Sequence, residues 1–110
     1  MVADREMRVV EIGEPGGPEA LRIAKRDVPT PGEGEILIEV GAAGVNRPDV
    51  MQRQGLYPPP PGAPEWPGLE VAGRVARLGD GATRFSEGDR VMALVAGGGY
   101  ADFVVVAEAN

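Results

Sequence analysis

The chain has 110 residues, which suffices for one domain with a hydrophobic core and not for two. Its formal net charge is −6, from 17 acidic and 11 scattered basic residues, and this charge disfavours binding to nucleic acid. It contains no cysteine and no histidine, which excludes disulfides, thiolate or histidine catalysis and the usual transition-metal ligands. No segment reads as a signal peptide or a membrane span, so we expect a soluble, cytoplasmic protein with no membrane partner.

The first third of the chain predicts short strands separated by turns rich in glycine and proline. These strands cover residues 7–12, 21–28 and 35–40. The third alternates most clearly: one face carries three β-branched residues and the other two glutamates with a leucine between them, in the order Glu35, Ile36, Leu37, Ile38, Glu39, Val40. We therefore expect one face of this strand to be buried and the other to be exposed to water.

One short helix is predicted from about Arg47 to Gln54. Asn46 is a suitable N-cap, Pro48 fits the first turn, and Asp49 lies three residues after the cap, as in a capping box. Gly55 can end the helix in the left-handed conformation. Four consecutive prolines, residues 58–61, then indicate a stiff exposed loop.

The second half predicts three further strands, at residues 69–78 with an interruption at Gly73, at 91–95 and at 100–106. Six or seven short strands with one helix and no strand–helix alternation indicate a mainly β fold, a barrel or a sandwich. We expect residues 1–6 to form a flexible N-terminus and residues 7–110 to form one folded segment.

Three polar residues near the helix are candidates for binding or chemistry. Asn46 is explained by helix capping, but it can also face a cleft and bind a ligand, with Asp49 supporting it from behind. Tyr57 is either a half-buried aromatic residue or a phenol that donates a hydrogen bond to a carbonyl group or stacks on a flat ring. The residue types do not decide between these interpretations.

Two other features of the second half carry weaker signals. Glu70 stands in an otherwise apolar strand, where its carboxylate lies either on the exposed face or against a buried partner. The glycines at 97–99 do not match the dinucleotide-binding pattern G-x-G-x-x-G, and neither that pattern nor a P-loop occurs in the chain. The sequence therefore contains no recognisable cradle for a pyrophosphate.

Six short motifs occur in a characteristic order: GVNRPD at 44–49, RQGLYPPP at 53–60, GLEVAG at 68–73, LG at 78–79, GDRV at 88–91 and GGGYA at 97–101. Together they resemble the medium-chain dehydrogenase/reductase superfamily. Within it, the chain looks most like the zinc-independent quinone oxidoreductases, close to the subgroup related to the p53-inducible quinone reductase. The resemblance covers essentially all of Met7 to Ala107.

The resemblance implies a GroES-like β-barrel catalytic domain, which in such proteins is followed by a Rossmann domain. It also implies NADPH-dependent reduction of a quinone or a related α,β-unsaturated carbonyl compound in the cleft between the two domains. Zinc-dependent relatives carry a cysteine and a histidine where this chain has Asn46 and Leu69. The resemblance therefore implies an enzyme without a metal site.

The same resemblance assigns roles to the three candidate residues. Asn46 would contact the nicotinamide end of the cofactor, and Asp49 would hold Asn46 or the helix in place. Tyr57 would line the pocket, contact the cofactor or the substrate carbonyl, and act as the catalytic polar group. Hydride would pass directly from the nicotinamide, while a polar group or water stabilises negative charge on the acceptor oxygen.

The Rossmann domain is absent from these 110 residues, so we expect the isolated chain to bind NADPH weakly or not at all and to lack activity. Apolar surface that a missing segment would cover is expected to favour self-association into a homo-oligomer. Two alternatives stay open: a stand-alone GroES-like module for binding or assembly, and a fragment of a zinc-free enoyl reductase.

Overall fold

The computed structural model describes residues 6–110, which form six strands, one α-helix and a 3-10 turn. In chain order these are β1 (Glu6–Ile12), the 3-10 turn (Pro18–Ala20), β2 (Leu21–Asp27), β3 (Glu35–Ala43), α1 (Arg47–Arg53), β4 (Glu70–Leu78), β5 (Arg90–Leu94) and β6 (Phe103–Ala107). The mainly β fold with one short helix is confirmed. Of the predicted flexible N-terminus, residues 1–5 lie outside the described part, and Glu6 is the first residue of β1.

The strands form two antiparallel sheets. β1 and β2 pair as a hairpin, and the other four strands pair in the order β5-β4-β3-β6. The sheets meet where the chain enters β6, because the Val10 amide donates to the Tyr100 carbonyl at 2.8 Å and the Asp102 amide donates to the Arg8 carbonyl at 3.0 Å. The hairpin thereby covers part of one face of the larger sheet.

The prediction that β3 has one buried and one exposed face is wrong. Leu37 lies between the two glutamates, yet its side chain is completely buried. Ile36 and Ile38 face the first hydrophobic cluster, while Leu37 belongs to a second cluster with Met7, Val9, Val28 and Phe103. The alternation was correct, but the β1–β2 hairpin covers the middle of the face that the glutamates marked as exposed. Each buried aliphatic side chain of this kind contributes about 1.5–3 kcal/mol.

β4 also differs from expectation, because it runs through Gly73 without a break. β4 pairs with β3 on one side and β5 on the other, with register irregularities in β3 after Leu37 and after Val40. The last residues of β3 lead directly into α1, and the first residue of β4 is Glu70. The sheet therefore brings the start of the helix and the start of β4 close together.

Candidate active site

The start of α1 has the capping geometry that the sequence predicts. Asn46 is extended, with φ −125° and ψ 164°, and Pro48 lies in the first turn. The Asn46 amide donates a hydrogen bond to Asp49 Oδ2 at 3.0 Å. Asp49 therefore holds the backbone of Asn46, and it also places a carboxylate in the first turn, where the helix dipole favours negative charge.

Asp49 does more than cap the helix, because it joins three separate segments of the chain. Its side chain is 4% exposed. Besides the Asn46 amide, it accepts a hydrogen bond from the Tyr100 hydroxyl at Oδ2 (2.9 Å) and from the Gly68 amide at Oδ1 (3.2 Å). A buried carboxylate is costly unless hydrogen bonds compensate for lost hydration, and these three donors provide that compensation.

Tyr100 is a site residue that the sequence reasoning missed. Its phenol is half-buried, and this burial raises the pKa of Tyr100 well above its usual range, with further contributions from the hydrogen bond to Asp49 and the charge of Asp49. The hydroxyl is therefore neutral at physiological pH and donates to Asp49. The one available signal was the motif GGGYA, in which an aromatic residue follows three glycines that do not match a phosphate-binding pattern.

Those glycines pair with the segment before β4 and so position Tyr100. The Gly98 amide donates to the Trp66 carbonyl at 2.8 Å, and the Tyr100 amide donates to the Pro67 carbonyl at 2.9 Å. Gly68 has φ +115°, and a Cβ there would lie 2.5 Å from the Tyr100 backbone nitrogen. Only glycine fits this conformation at such a close backbone approach. We call this paired stretch, residues 66–68 with 98–100, the glycine seam.

Glu70, the carboxylate in the otherwise apolar strand β4, contacts the predicted site residue Asn46. Asn46 Nδ2 donates a hydrogen bond to Glu70 Oε1 at 3.0 Å. Glu70 is exposed and lines a cavity of about 450 Å³ whose other walls include Val71, Met92 and Leu94. Asn46 is thus held at two points: its backbone N–H donates to Asp49 and its side-chain amide donates to Glu70.

Tyr57 lies elsewhere. It is half-buried and lines a different cavity of about 260 Å³, together with Gln52, Pro58, Pro59 and Glu65. Within residues 6–110 its hydroxyl makes no hydrogen bond. The structure therefore joins Asn46, Asp49, Glu70 and Tyr100 in one network and leaves Tyr57 outside it.

The far end of α1 is fastened to the loops beside the Tyr57 cavity. Gln52 is buried and its Nε2 donates to the Glu65 carbonyl at 2.9 Å. Arg53 Nε donates to the Gly16 carbonyl at 3.0 Å. Both ends of this seven-residue helix are therefore fixed by tertiary contacts, which short helices need in order to be stable.

Two kinds of feature are absent from residues 6–110. Within this range, no group of three or more carboxylate, histidine or cysteine side chains lies close enough to share a metal ion. No helix within it combines the length and the apolar character that crossing a bilayer requires.

Comparison with known proteins now adds to this geometry. Residues 32–110 match the alcohol dehydrogenase GroES-like domain. The chain therefore belongs to the family of alcohol dehydrogenase GroES-like domains, as the motifs predicted.

Particular relatives place it more closely. The chain is similar to a quinone oxidoreductase of Lama guanicoe, with 41% identity over 106 residues that cover 94% of this chain and 32% of the relative. The crystal structure of the human synaptic vesicle membrane protein VAT-1 homolog-like protein superimposes with a TM-score of 0.85 at 41% identity, covering 94% of this chain and 33% of that one. A mycobacterial protein, Rv1454c, solved in complex with NADPH, superimposes with a TM-score of 0.77 at 39% identity, covering 93% of this chain and 30% of that one.

The chain spans about a third of the length of the curated relatives that it matches. The similarity to quinone oxidoreductases confirms the predicted resemblance. Activity, substrate and cofactor belong to proteins three times as long.

Proposed function

We propose that this chain is the N-terminal, GroES-like part of the catalytic domain of a zinc-independent, NADPH-dependent quinone oxidoreductase. The observation that carries the proposal is the rigid placement of Asn46, held by Asp49 and Glu70, in a chain that is 41% identical to a quinone oxidoreductase. The reaction proposed for the whole enzyme is hydride transfer to a quinone or an α,β-unsaturated carbonyl compound.

The residues present fit one end of the cofactor and not the other. Asn46 offers an oriented amide that can hydrogen-bond the nicotinamide end, but the chain contains no glycine-rich turn that would bind the pyrophosphate. The complex of the mycobacterial relative supports NADPH as the cofactor. When bound, NADPH supplies the hydride. We propose that the isolated chain binds it weakly, with a Kd of about 1 mM or more, and is inactive.

Zinc independence is proposed from the donor atoms at two positions. Asn46 supplies an amide already hydrogen-bonded to Glu70, and Leu69 supplies no donor atom at all. Neither is a ligand that zinc prefers. In the absence of a Lewis acid, a hydrogen-bond donor has to stabilise charge on the acceptor oxygen.

We propose Tyr57 as that donor. Its hydroxyl makes no hydrogen bond to residues 6–110, and it stands at a rigid loop edge formed by Pro58 and Pro59 beside a cavity. A phenol that is not engaged elsewhere is free to donate to a substrate carbonyl. Tyr100 is unsuited to this role because its hydroxyl already donates a hydrogen bond to Asp49.

Two further proposals concern surroundings and assembly. The proposed location is the cytoplasm, and the proposed partners are small-molecule quinones or enones, with neither nucleic acid nor membrane. Several large apolar side chains are exposed: Ile23, Val45, Leu56, Met92 and Leu94. Since Met92 and Leu94 lie on the edge strand β5, we propose this edge as a surface for self-association.

The test begins with the coding sequence that follows the Asn110 codon. If it encodes a glycine-rich turn between a strand and a helix, the full product is assayed for NADPH oxidation with benzoquinone or an enone. We expect Tyr57→Phe to lower kcat about 10²-fold and EDTA dialysis to leave activity unchanged. Glu33→Gln, an exposed carboxylate without side-chain contacts in the described range, serves as the control.

Each outcome decides a separate part of the proposal. If the full product fails to oxidise NADPH with every quinone and enone tested, the enzyme assignment is contradicted. Full activity in Tyr57→Phe removes the proposed role of Tyr57 alone. Loss of activity on EDTA dialysis, restored by zinc, contradicts zinc independence.

A further inference from the structure

We infer that Glu70 is a positioning residue, whose carboxylate fixes the direction of the Asn46 side-chain amide toward the cofactor. This inference rests on the proposed function, because it concerns the amide that we propose as the contact of the nicotinamide end. It goes beyond that proposal by assigning a role to a carboxylate that touches neither substrate nor cofactor.

The argument starts from the hydrogen-bonding chemistry of the two side chains. An ionised carboxylate only accepts hydrogen bonds, whereas an amide has a donating and an accepting end. Because Glu70 Oε1 lies 3.0 Å from Asn46 Nδ2, the donating end of the amide must face Glu70. The reversed amide would place its oxygen against the carboxylate, where two acceptors repel each other. Glu70 therefore removes the two-fold ambiguity of an amide group.

The backbone makes room for this arrangement at Gly44. A Cβ at Gly44 would lie 2.0 Å from Glu70 Oε1 and 2.7 Å from Glu70 Cγ, so the Glu70 side chain lies directly over the glycine. The Gly44 amide also donates to the Glu70 carbonyl at 3.2 Å, which holds the two backbones together. Any larger residue at position 44 would displace the end of a flexible side chain and not the backbone. The absence of a side chain at Gly44 thus leaves the space in which Glu70 reaches Asn46.

The partial exposure of Asn46 and its contacts explain why the orientation of its side-chain amide has to be fixed. Asn46 is only partly buried, so water competes for both ends of its side chain. Asp49 holds the Asn46 backbone but leaves the Asn46 Nδ2 group to Glu70. Among the described residues that line the adjoining cavity, Glu70 carries the one charged side chain, and the walls beside it are apolar. A fixed amide costs the cofactor less ordering entropy than one that samples two orientations.

The first experiment reverses the pair in the 110-residue chain and needs no ligand. We expect Asn46→Asp to lower the thermal unfolding midpoint at pH 7 by a few degrees, because it places two carboxylates together. Glu70→Gln alone has a small effect. The combination of Asn46→Asp with Glu70→Gln restores most of the loss, because the new amide donates to the new carboxylate. Equal loss in the single and the combined variant overturns the contact.

The second experiment asks whether the contact positions the amide for the cofactor. Chemical shifts of the Asn46 side-chain amide are followed by NMR while NADPH is added at millimolar concentration. We expect Glu70→Ala to shift the hydrogen-bonded Nδ2 proton upfield without ligand and to raise the Kd for NADPH about 3–10-fold. Glu70→Gln, which keeps an accepting oxygen, recovers part of this affinity.

Gly44→Ala provides an independent variant that changes the identity of neither Asn46 nor Glu70. It should displace Glu70 and reproduce the shift and the affinity loss of Glu70→Ala. Gly16→Ala is its matched control, because a Cβ at Gly16 meets nothing nearer than 4.0 Å. A purely structural role would lower stability in Gly44→Ala without moving the Asn46 side-chain signal.

The outcomes separate this inference from the proposed function. If NADPH shifts the Asn46 amide with equal affinity in wild type and Glu70→Ala, the positioning role is overturned and the cofactor contact stands. If NADPH shifts Asn46 in no chain, the cofactor contact proposed for Asn46 fails and the positioning role fails with it. The pair-reversal experiment still decides whether the two side chains interact.

Discussion

Two aspartates accept three hydrogen bonds each, yet they connect the molecule in different ways. Asp49 is buried, and its donors come from three segments: the start of α1, the Gly68 loop and Tyr100 before β6. Asp102 is partly exposed, and its three side-chain hydrogen bonds in the described range all come from one residue, Arg8. The number of hydrogen bonds is the same, but only Asp49 joins elements that the sheets do not already join.

This contrast shows where the fold depends on polar contacts. Loss of the Asp102 side chain leaves β1 attached through the Asp102 amide and the Val10 amide, both of which are backbone contacts. Loss of the Asp49 carboxylate leaves the buried Gly68 amide without an acceptor, and also the partly buried Asn46 amide and Tyr100 hydroxyl. Desolvation is thus the term that separates the two sites, because an exposed donor recovers water and a buried one does not.

The largest expected effect is that of Asp49→Asn. An asparagine has one accepting oxygen in place of two. Its NH2 group therefore faces either the Gly68 amide or the two donors that now bind Oδ2, the Asn46 backbone amide and the Tyr100 hydroxyl. We expect a loss of about 2–3 kcal/mol in the free energy of unfolding, measured with urea at pH 7. Asp80→Asn, an exposed carboxylate whose side chain makes no contact in residues 6–110, is the control. A loss as small as in the control would show that Asp49 is not the connecting residue.

The same carboxylate shows how far the sequence could predict the site. The N-cap at Asn46, the capping position of Asp49 and the helix bounds follow from local spacing, and the structure has them. The partners of Asp49 in the glycine seam are 19 and 51 residues away in sequence. No local pattern reports such pairings, because they depend on how the sheets bring segments together.

The burial of side chains was likewise predictable from local pattern only in part, because it also depends on contacts between distant segments. Alternation in β3 assigned its faces correctly, but it could not show that the β1–β2 hairpin would cover Leu37. Glu70 was a carboxylate with two possible environments, and only the three-dimensional structure decided that it is exposed and paired with Asn46. Tyr57 was expected to line a pocket, and it lines a cavity, but no local pattern could show that this cavity is separate from the one that Glu70 lines. Local chemistry was predictable here, whereas contacts between distant segments were not.

A smaller effect is expected from Tyr100→Phe, which removes one donor from Asp49 and leaves two. We expect a loss of about 1 kcal/mol at pH 7. The raised pKa of Tyr100 adds a dependence on pH: above about pH 10, the tyrosine ionises in the unfolded chain but stays protonated in the folded one. The wild type therefore loses stability as the pH rises past 10.

Urea unfolding at neutral pH and at a series of pH values above 10 measures this dependence. Both chains keep Tyr57, so it does not contribute to the difference between them. The Tyr100→Phe chain should show a flatter decline, and the two stability curves should converge with rising pH. Parallel curves would mean that folding does not raise the pKa of Tyr100, so that neither burial nor Asp49 acts on its hydroxyl.

The smallest effect is expected from Arg8→Ala, at the other end of the comparison. The Arg8 guanidinium lies 3.1 Å from Asp102 and is largely exposed, so salt and water screen the pair. Its hydrogen bonds and charge lower the pKa of Asp102. A lowered pKa contributes stability above the ordinary aspartate value of 3.8, and that contribution disappears as the pH falls below it.

We therefore expect a slight loss in Arg8→Ala at pH 7 and low salt, which vanishes in about 0.5 M NaCl and shrinks as the pH falls below 3.8. Lys25→Ala, which removes an exposed cation of β2 without an ion pair in the described range, is the control for net charge. A loss that persists in high salt would show that Arg8 acts through packing of its alkyl chain. If that loss matched Asp49→Asn, the contrast between a buried connecting carboxylate and an exposed ion pair would not hold for this fold.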